Sequence, residues 1–265
     1  MGLKAALTIA GSDPSGGAGI QADLKTFHQF GVYGQAAITL LTVQNTTNVF
    51  AVECVSPDLA AAQIRAVVED ITPSAAKTGA LGNAAIIEAV AQAAAAFPFP
   101  LVVDPVMISK HGAPLMAPEA RAAMLECLLP VCRLATPNLH EAAALAQMPV
   151  DSLESMKAAA ALLEQKTGAA ILVKGGHLEG EAVDVLCQNG VFYQFPAPRT
   201  ATPHTHGTGC TYSAAITACL ALGLALPDAV ARAKRFITRA IASNPGLGRG
   251  HGPVNHFAPT TMEEP

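Results

Sequence analysis

One short segment of the chain, Gly207-Thr208-Gly209-Cys210, combines residue types that could stabilise negative charge. It precedes an almost wholly apolar stretch that runs to Leu222 and predicts a buried helix. The free N–H groups and the dipole at the start of such a helix form an anion hole, suited to the charge on a transferring phosphoryl group. The same field would lower the pKa of the Cys210 thiol and make it a candidate base. From spacing alone, a cysteine that simply packs in the first turn is an equally good interpretation.

Two other segments place polar side chains just after predicted strands. The letters TPNLHE put Asn138 and Glu141 one helical turn apart. An amide and a carboxylate with this spacing can hold hydrated Mg²⁺ against phosphates, although the same pair also forms a helix capping box. The predicted strand ILVK ends at Lys174, where open α/β sheets bind ligands, and two glycines follow. A lysine that extends into solvent is the alternative interpretation.

A second glycine-rich loop lies near the start of the chain, in LTIAGSDPSGGAGIQAD, residues 7–23. Its GAGIQA letters fit the G-x-G-x-x-A pattern of dinucleotide-binding proteins, which requires an acidic residue about 20 positions further on. No acidic residue lies between Asp23 and Glu53, so the pattern fails. A P-loop fails as well, because Gly17 and Ala18 stand where it needs Lys and Ser or Thr. The remaining interpretations are a loop whose backbone approaches a small ligand closely and an ordinary strand–helix turn.

Asp23 lies in the helix that follows this loop. Ile20, Leu24 and Phe27 form the apolar stripe of the helix, and Asp23 borders that stripe. From these residues alone, we expect a solvated carboxylate at the edge of the stripe.

These candidate residues require a scaffold of alternating strands and helices. Such alternation predicts a mostly parallel sheet covered by helices on both faces. A turn at Gln188-Asn189-Gly190 predicts a hairpin, so part of the sheet is antiparallel. No repeat, linker or break in composition interrupts the pattern, and residues 1–265 are expected to form one domain. Strands are predicted at 4–10, 35–43, 48–55, 74–78, 100–105, 132–136, 169–174, 182–187 and 191–195, and helices at 17–30, 57–70, 82–96, 117–128, 138–146, 152–167, 207–222 and 227–243.

Composition excludes several classes of function. With 51% hydrophobic and 14% charged residues, the chain can bury a sizeable core. The net charge of -4 argues against nucleic acid as a partner, since no broad basic surface is available. The sequence lacks an apolar run of about 18 residues and a signal peptide, so no membrane association is expected and the expected location is the cytoplasm. The six cysteines lack metal-binding spacing, and all except Cys210 are interpreted as small core residues.

The chain resembles the hydroxymethylpyrimidine/phosphomethylpyrimidine kinases of thiamine biosynthesis, within the ribokinase superfamily, in seven ordered segments: AGSDPSGGAGIQADLKTF, QNT, VVDPVM, TPNLHEAA, VKGGH, HGTGCT and GHGPVNHF. These segments extend over nearly the whole chain and are far more specific than any one glycine motif. The resemblance implies an α/β fold with a central mixed, mostly parallel sheet flanked by helices on both faces. It also implies two phosphorylations with ATP and Mg²⁺, first of the hydroxymethyl group and then of the monophosphate, and a homodimer.

The resemblance further implies roles for individual residues. Gln44 would recognise the pyrimidine, and its amide offers both a donor and an acceptor to an aminopyrimidine edge. Cys210 would act in catalysis together with Lys174, which would lie on the phosphate side. The other substrate-binding positions are Gly11, Ala18, Asp23, Val106, Ala80 and Thr42; the anion hole is Gly207, Thr208, Gly209 and Cys210; and Asp104, Asn138 and Glu141 lie near the metal and the phosphates.

Three positions bear on the choice of substrate. Cys210 stands where most ribokinase relatives have Asp, which favours a pyrimidine kinase over sugar kinases and aspartate-bearing pyridoxal kinases. Ala80 replaces a usual methionine and Thr42 a usual aliphatic residue, so the pocket is expected to be roomier and more polar. A pyridoxal kinase of the cysteine-bearing type is the enzymatic alternative. A non-catalytic protein that binds pyrimidines or nucleotides is the alternative from another class.

Two loop segments have weaker assignments. Lys110-His111-Gly112 is interpreted as a flap over the site or as an ordinary loop. His204 and His206 form an H-x-H pair without an evident third metal ligand, which favours a polar approach to the anion hole over a metal site.

Overall fold

The computed structural model describes residues 2–107, 116, 119–176 and 181–261. Lys110-His111-Gly112 and His177 of the VKGGH segment lie outside these ranges. Within the described residues, nine strands form one sheet. They are β1 (Ala5–Ser12), β2 (Tyr33–Gln44), β3 (Val49–Cys54), β4 (Ala75–Thr78), β5 (Leu101–Val103), β6 (Leu134–Ala135), β7 (Ala170–Val173), β8 (Asp184–Gln188) and β9 (Val191–Phe195).

The sheet is mixed, with the order β3-β2-β1-β4-β5-β6-β7-β8-β9. The run from β2 through β1, β4, β5 and β6 to β7 is parallel throughout. Strand β3 pairs antiparallel with β2 at one edge, and the hairpin β8–β9 continues antiparallel from β7 at the other. The predicted fold class and the predicted hairpin are therefore confirmed.

Helices connect the strands and cover both faces of the sheet. They are α1 (Gly19–Gln29), α2 (Pro57–Asp70), α3 (Ala84–Ala94), α4 (Ala120–Ala123), α5 (Leu139–Ala146), α6 (Leu153–Thr167), α7 (Thr208–Ala221) and α8 (Leu226–Ala242). Helix α4 continues as a π-helical turn at Met124–Leu128 and a 3₁₀ turn at Leu129–Val131. Each of the eight predicted helices has its counterpart here.

Alternate residues of each strand enter two separate apolar layers, because successive side chains of a strand point to opposite faces. Leu7 and Ile9 of β1 belong to the layer that packs under helices α2 to α6. Ala6 belongs to the opposite layer, together with Phe27 of α1 and Phe236 of α8. Burial on both faces explains why the parallel strands are nearly continuous apolar runs.

The carboxyl ends of the parallel strands all lie at one edge of the sheet. Asp104, Thr136 and Lys174 follow β5, β6 and β7 directly, and the loop after β1 lies at the same edge. No helix in the described part of the chain is long and apolar enough to cross a membrane.

Candidate active site

A cavity of about 1290 Å³ lies along the carboxyl ends of the parallel strands. It brings together residues that are up to about two hundred positions apart in the chain. The predicted site residues that line it are Gly11, Ala18, Thr42, Gln44, Ala80, Asp104, Val106, Asn138, Glu141, Lys174, Gly207, Thr208, Gly209 and Cys210. Asp23 is the exception among the predicted positions: it is completely buried below the cavity.

The loop after β1 is organised by Asp13, a residue that the sequence analysis did not single out. One carboxylate oxygen accepts hydrogen bonds from the backbone and hydroxyl of Ser15, at 2.9 and 2.7 Å. The other accepts from the backbone of Ala18 at 2.9 Å and from His206 at 2.7 Å. Burial raises the pKa of Asp13, but the hydrogen bonds from His206 and Ser15 outweigh it and lower the pKa below its usual value. The letters S-D-P-S-G could have indicated this role, because an Asp that precedes such a turn commonly accepts hydrogen bonds from the backbone that follows it.

Glycine allows the two glycine-rich loops to touch. Gly207 has a φ of 75°, and a Cβ on it would collide with the carbonyl oxygen of Gly17. Gly19 has a φ of 56°, and a Cβ there would collide with the carbonyl oxygen of Gly11. Both positions combine left-handed backbone with close backbone approach, for which glycine is suited. The loop that was interpreted as the wall of the small-substrate pocket therefore packs directly on the loop that forms the anion hole.

The side-chain amide of Gln44, at the end of β2, is oriented by its neighbour His206. Its Nε2 atom is placed 3.3 Å from Nε2 of His206, which also lies 2.7 Å from Oδ2 of Asp13. A ring nitrogen that donates its proton to Asp13 cannot accept one from an amide, and the oxygen and nitrogen of an amide are assigned from such contacts. We therefore orient the carbonyl oxygen of Gln44 toward His206, where it shares the Nε2 proton only weakly because Asp13 is the main acceptor, and the NH₂ group turns the other way.

The two positions expected to alter the pocket have modest effects on its polarity. The Thr42 hydroxyl donates its proton to the carbonyl of Ser12 at 3.0 Å, so it can only accept a hydrogen bond from a ligand. The carbonyl of Ala80 accepts from the Thr39 hydroxyl at 2.6 Å, and the small side chain leaves space at the cavity wall. The expected gain in pocket polarity is thus limited to one acceptor, and the roomier pocket stays a prediction.

Helix α7 begins at the segment expected to form the anion hole, with Gly207 as its N-cap. The N–H of Thr208 bonds the carbonyl of Thr205 at 3.3 Å, and its hydroxyl bonds the same carbonyl at 2.8 Å. The N–H groups of Gly209 and Cys210 belong to the first turn, where backbone donors have no partner within the helix. These two donors, more than that of Thr208, can serve an anion.

The expectation of a lowered pKa for Cys210 is wrong. Burial raises the pKa of this thiol to about 11. Lys77 and the backbone N–H of Gly19 act in the opposite direction, while the carboxylates of Asp23 and Asp104 add to the rise. Loss of water around the sulfur therefore outweighs the field of the helix, and the free protein holds Cys210 as a thiol.

Lys174 is held at the centre of the site by Asp104. The Nζ atom of Lys174 lies 2.9 Å from Oδ1 of Asp104, whose oxygens also accept from the hydroxyls of Thr136 and Ser213, each at 3.3 Å. Burial lowers the pKa of Lys174, but the carboxylates of Asp104 and Glu141 outweigh it and hold the pKa above its usual value. Lys174 is thus a partly buried cation in the cavity rather than a lysine that extends into solvent. Asp104 is engaged in holding it, which does not favour Asp104 as a direct metal ligand.

Asn138 and Glu141 form the capping box that the sequence left as an alternative. The Asn138 side chain accepts from the Glu141 backbone at 3.0 Å, and the Glu141 carboxylate accepts from the Asn138 backbone at 2.8 Å. Burial raises the pKa of Glu141 to about 7, and nearby Lys174 opposes this rise. Within the described residues, no group of three or more His, Cys, Asp and Glu side chains could hold a metal ion. His206, part of the H-x-H pair, instead bonds Asp13.

Asp23 is neither a solvated edge residue nor part of the cavity wall. Its carboxylate forms an ion pair with Lys77 of β4, with 2.8 Å between the atoms, and accepts from the Thr8 hydroxyl at 2.6 Å. The side chains of Asp23 and Lys77 have no exposed surface. Sequence reasoning missed Lys77, and a lone lysine inside the apolar strand AAKT is the signal that could have found it.

Comparison with known proteins gives a consistent result. Residues 13–255 match the family model described as phosphomethylpyrimidine kinase. The chain is 49% identical to the hydroxymethylpyrimidine/phosphomethylpyrimidine kinase of Haemophilus influenzae, over 97% of each chain. It is similar to the solved ADP complex of Bacillus subtilis pyridoxal kinase, with a TM-score of 0.90, 39% identity and coverage of 97% of this chain and 98% of that one. It is also similar to the phosphomethylpyrimidine kinase of Clostridium difficile, with a TM-score of 0.80, 43% identity and coverage of 90% and 99%.

Proposed function

The chain belongs to the phosphomethylpyrimidine kinase family, and we propose that it phosphorylates 4-amino-5-hydroxymethyl-2-methylpyrimidine and then its monophosphate, with ATP, in thiamine biosynthesis. The observation that carries the proposal is one cavity that connects a side chain suited to an aminopyrimidine, Gln44, with a helix N-terminus and a partly buried cation, Lys174. Residues 1–265 would form one kinase domain. The fold is ribokinase-like.

The pyrimidine would bind at the end of the cavity formed by the loop after β1. There Gly11 and Ala18 permit close backbone approach, and Val106 supplies an apolar surface for the ring. With its carbonyl oxygen held by His206, Gln44 directs its NH₂ group to a ring nitrogen. The carbonyl oxygen keeps a second lone pair for the exocyclic amino group of the substrate.

The transferring phosphoryl group would lie between the start of α7 and Lys174. The N–H groups of Gly209 and Cys210 would bind its equatorial oxygens, and the ammonium of Lys174 would offset their negative charge. Space for this group is limited by the same residues, because a Cβ on Gly209 would lie 3.4 Å from Nζ of Lys174. Most of the catalysis in this arrangement comes from positioning and electrostatics.

Mg²⁺ would enter with ATP as part of the nucleotide substrate. Mg²⁺ keeps several water ligands and takes the rest from phosphate oxygens and one or two carboxylates. Glu141 and Asn138 fit this pattern, because both residues line the cavity and the charge of Glu141 acts on Lys174, while they also cap α5.

The rest of ATP would occupy the part of the cavity next to α8. The cavity continues past the phosphate end to Arg199, Lys234 and Ile237. Its volume of about 1290 Å³ exceeds the roughly 300–1,000 Å³ of a pocket for one drug-sized ligand. Two substrates that meet at the anion hole account for this size.

Cys210 would contact the hydroxymethyl oxygen of the pyrimidine. The transition state of phosphoryl transfer is loose in most analyses, so this oxygen needs to lose its proton only late. Orientation of the oxygen is then the first contribution of Cys210. Acceptance of the proton requires the thiolate, which burial disfavours in the free protein.

Pyridoxal phosphorylation is the second candidate activity. The observation that favours it is structural similarity to Bacillus subtilis pyridoxal kinase. The TM-score with that protein is 0.90, compared with 0.80 for the Clostridium difficile enzyme. A pocket enlarged by the small side chain of Ala80, which lines the cavity, would also accept a substituted pyridine ring. The higher sequence identity to a hydroxymethylpyrimidine kinase favours the pyrimidine.

Product analysis tests the proposed function. The purified protein would receive ATP and Mg²⁺ with hydroxymethylpyrimidine, its monophosphate or pyridoxal, and chromatography would score the phosphorylated products. We expect both the mono- and the diphosphate of the pyrimidine, with a higher kcat/KM than for pyridoxal. Phosphorylation of pyridoxal alone would support the second candidate. Binding of these ligands without ADP formation would support the non-catalytic alternative.

Assembly and location complete the proposal. We propose a homodimer, supported by exposed apolar side chains on the β2–β3 ribbon: Leu41, Val43 and Phe50 are 50%, 60% and 61% exposed. Sedimentation equilibrium should give twice the chain mass, and Phe50→Lys should lower it; a monomeric wild type would refute the dimer. We place the reaction in the cytoplasm, which agrees with six free cysteines.

A further inference from the structure

The Lys77–Asp23 ion pair joins β4 and α1, and both of these elements pack against helix α7, which carries Cys210. Gly19, whose N–H faces the Cys210 sulfur, and Asp23 are four residues apart in α1, so they share one face of that helix. Nζ of Lys77 lies 2.8 Å from Oδ1 of Asp23 and 3.9 Å from where a Cβ on Gly79 would be. Gly79 precedes Ala80, which lines the cavity, so the ammonium group lies beneath the cavity wall, without exposed surface.

Four charged groups from four parts of the fold act on the Cys210 sulfur. The cations are Lys77 of β4 and Lys174 after β7, and the carboxylates are Asp23 of α1 and Asp104 after β5. Among them Lys77 has the largest effect, and it favours the thiolate, while Asp23 acts less strongly in the other direction. The buried pair therefore acts on the sulfur mainly through its positive end.

The pair is difficult to explain as a device for stability. Removing two charges from water costs free energy, and well-packed apolar residues often replace a buried ion pair without loss. Lys77 nevertheless remains charged, because the carboxylates of Asp23 and Asp104 outweigh the effect of burial and hold its pKa above the usual value. Cys210 is the reactive group on which this permanent cation can act.

We propose that Lys77 and Asp23 are positioning residues for Cys210: the Lys77 ammonium stabilises negative charge on the sulfur, and the Asp23 carboxylate holds that ammonium in place. The inference rests on the proposed function for the catalytic use of the thiolate, which accepts the proton of the substrate hydroxyl as the oxygen–phosphorus bond forms and the bond to ADP breaks. Neither Lys77 nor Asp23 contacts the substrate in this scheme. Their effect reaches the reaction through the sulfur alone.

The test measures the reactivity of Cys210 without any substrate. Iodoacetamide reacts with the thiolate, so its rate below the pKa is proportional to the thiolate fraction. The protein would be alkylated at pH 7 to 11, and mass spectrometry of the Cys210 peptide would separate it from the other cysteines, including exposed Cys127. We expect Lys77→Met to lower the rate about tenfold, which corresponds to a rise of about one unit in the thiol pKa.

A double variant removes the risk that Lys77→Met fails to fold with an unpaired carboxylate. Lys77→Met/Asp23→Asn leaves no buried charge at this position, and we expect its Cys210 to react more slowly than wild type. Lys77→Arg keeps the charge and should keep a rate closer to wild type than that of Lys77→Met. The whole rate curve should shift along the pH axis in the neutral variants, whereas a change in reagent access would scale the rate equally at every pH.

The chain offers a matched control in a second buried ion pair of the same cavity. Lys234 lies 2.6 Å from Asp184, and neither residue is among the charges that act on Cys210. Lys234→Met/Asp184→Asn should leave the alkylation of Cys210 unchanged. Equal alkylation in the Lys77→Met/Asp23→Asn variant and wild type would overturn the inference, as would an equal loss in the control.

An activity measurement separates this inference from the proposed function. If the pyrimidine is phosphorylated, the Lys77→Met/Asp23→Asn variant should lower kcat and shift the rise of kcat to higher pH, with the KM for ATP little changed. If the protein has no pyrimidine kinase activity, the alkylation rates still test whether Lys77 lowers the pKa of the Cys210 thiol. A normal kcat–pH profile together with slowed alkylation would overturn the catalytic part of the inference.

Discussion

The usefulness of Gln44 as a recognition residue depends on a partner 162 positions away in the chain. A free glutamine amide can present either its oxygen or its nitrogen to a ligand, which weakens its selectivity. Here His206 contacts the amide and is itself held by Asp13, so one orientation is favoured. Preorganised polar groups of this kind discriminate well because an unsuitable ligand leaves them without a partner.

The first prediction at the residue scale concerns this amide. Gln44→Ala should raise the KM for hydroxymethylpyrimidine about 10- to 100-fold, since it removes two hydrogen bonds worth about 1–3 kcal/mol together. The KM for ATP should change little, because the anion hole is untouched. Steady-state kinetics with each substrate varied would measure both, and Gln35→Ala, on the same strand but bonded to Ile71, is the control. An unchanged pyrimidine KM in Gln44→Ala would remove the residue from recognition.

The second residue-scale prediction concerns Cys210. Cys210→Ala should lower kcat by about 10²-fold or more, the range of a positioned acid–base group, while the KM for ATP stays within about threefold. The reason is that the sulfur contacts the hydroxymethyl oxygen and not the nucleotide. Cys219→Ala, in the buried part of the same helix, controls for loss of a thiol from α7. Near-normal turnover in Cys210→Ala would contradict a role in catalysis.

At the scale of elements, regular periodicity predicted the helices and strands, and their ends were harder to place. The strand expected at 132–136 is limited to Leu134–Ala135, because a strand extends only as far as neighbouring chains pair with it. The helix expected at 117–128 changes to π-helical geometry after Ala123. Pairing partners and local changes of helix type are not encoded in the apolar pattern of one segment.

The element-scale prediction concerns the start of α7. Gly207→Ala should destabilise the protein by about 3 kcal/mol or more, since its Cβ would collide with the Gly17 carbonyl in addition to the cost of left-handed backbone. Gly168→Ala is the matched control, because Gly168 has nearly the same φ of 74° and open space around its Cβ position. The control should cost only about 1–2 kcal/mol from backbone strain.

Urea unfolding of the two variants would measure this difference, and the pyrimidine kinase assay would add a second measurement. Gly207→Ala should also lose activity, because separating the two glycine loops displaces the anion hole from the substrate wall. Equal destabilisation by the two substitutions would show that contact between the loops contributes little.

At the scale of the whole molecule, the sheet topology explains which parts of the site were predictable. Residues that follow parallel strands meet at one edge, so Asp104, Asn138 and Lys174 could be placed together from strand order. The buried pairs could not: Asp23 and Lys77 are 54 positions apart, and Asp13 and His206 are 193 apart. Such pairs form only where particular faces of strands and helices come together. The residues next to each partner in the sequence do not indicate which faces those are.

The last prediction concerns the segment after α8, which packs back on α7 and α1. His256 in this segment is buried and lies 3.0 Å from the Thr211 hydroxyl. Burial, followed by the positive charge of Lys25 and by His206, lowers the pKa of His256 from 6.5 to about 4. Between these two values the unfolded chain binds more protons than the folded protein, so stability falls as the pH falls from about 6.5 to about 4.

Between pH 7 and pH 5, this one histidine should cost the wild type about 2 kcal/mol of unfolding free energy. His256→Gln keeps a hydrogen-bonding group for Thr211 and removes the titration, so its stability should fall less over the same interval. Urea unfolding of both proteins at the two pH values measures the difference, and His28→Gln, at an exposed position, controls for loss of an imidazole. If the wild type and His256→Gln lose equal stability between pH 7 and pH 5, protonation of His256 is not a cause of acid destabilisation.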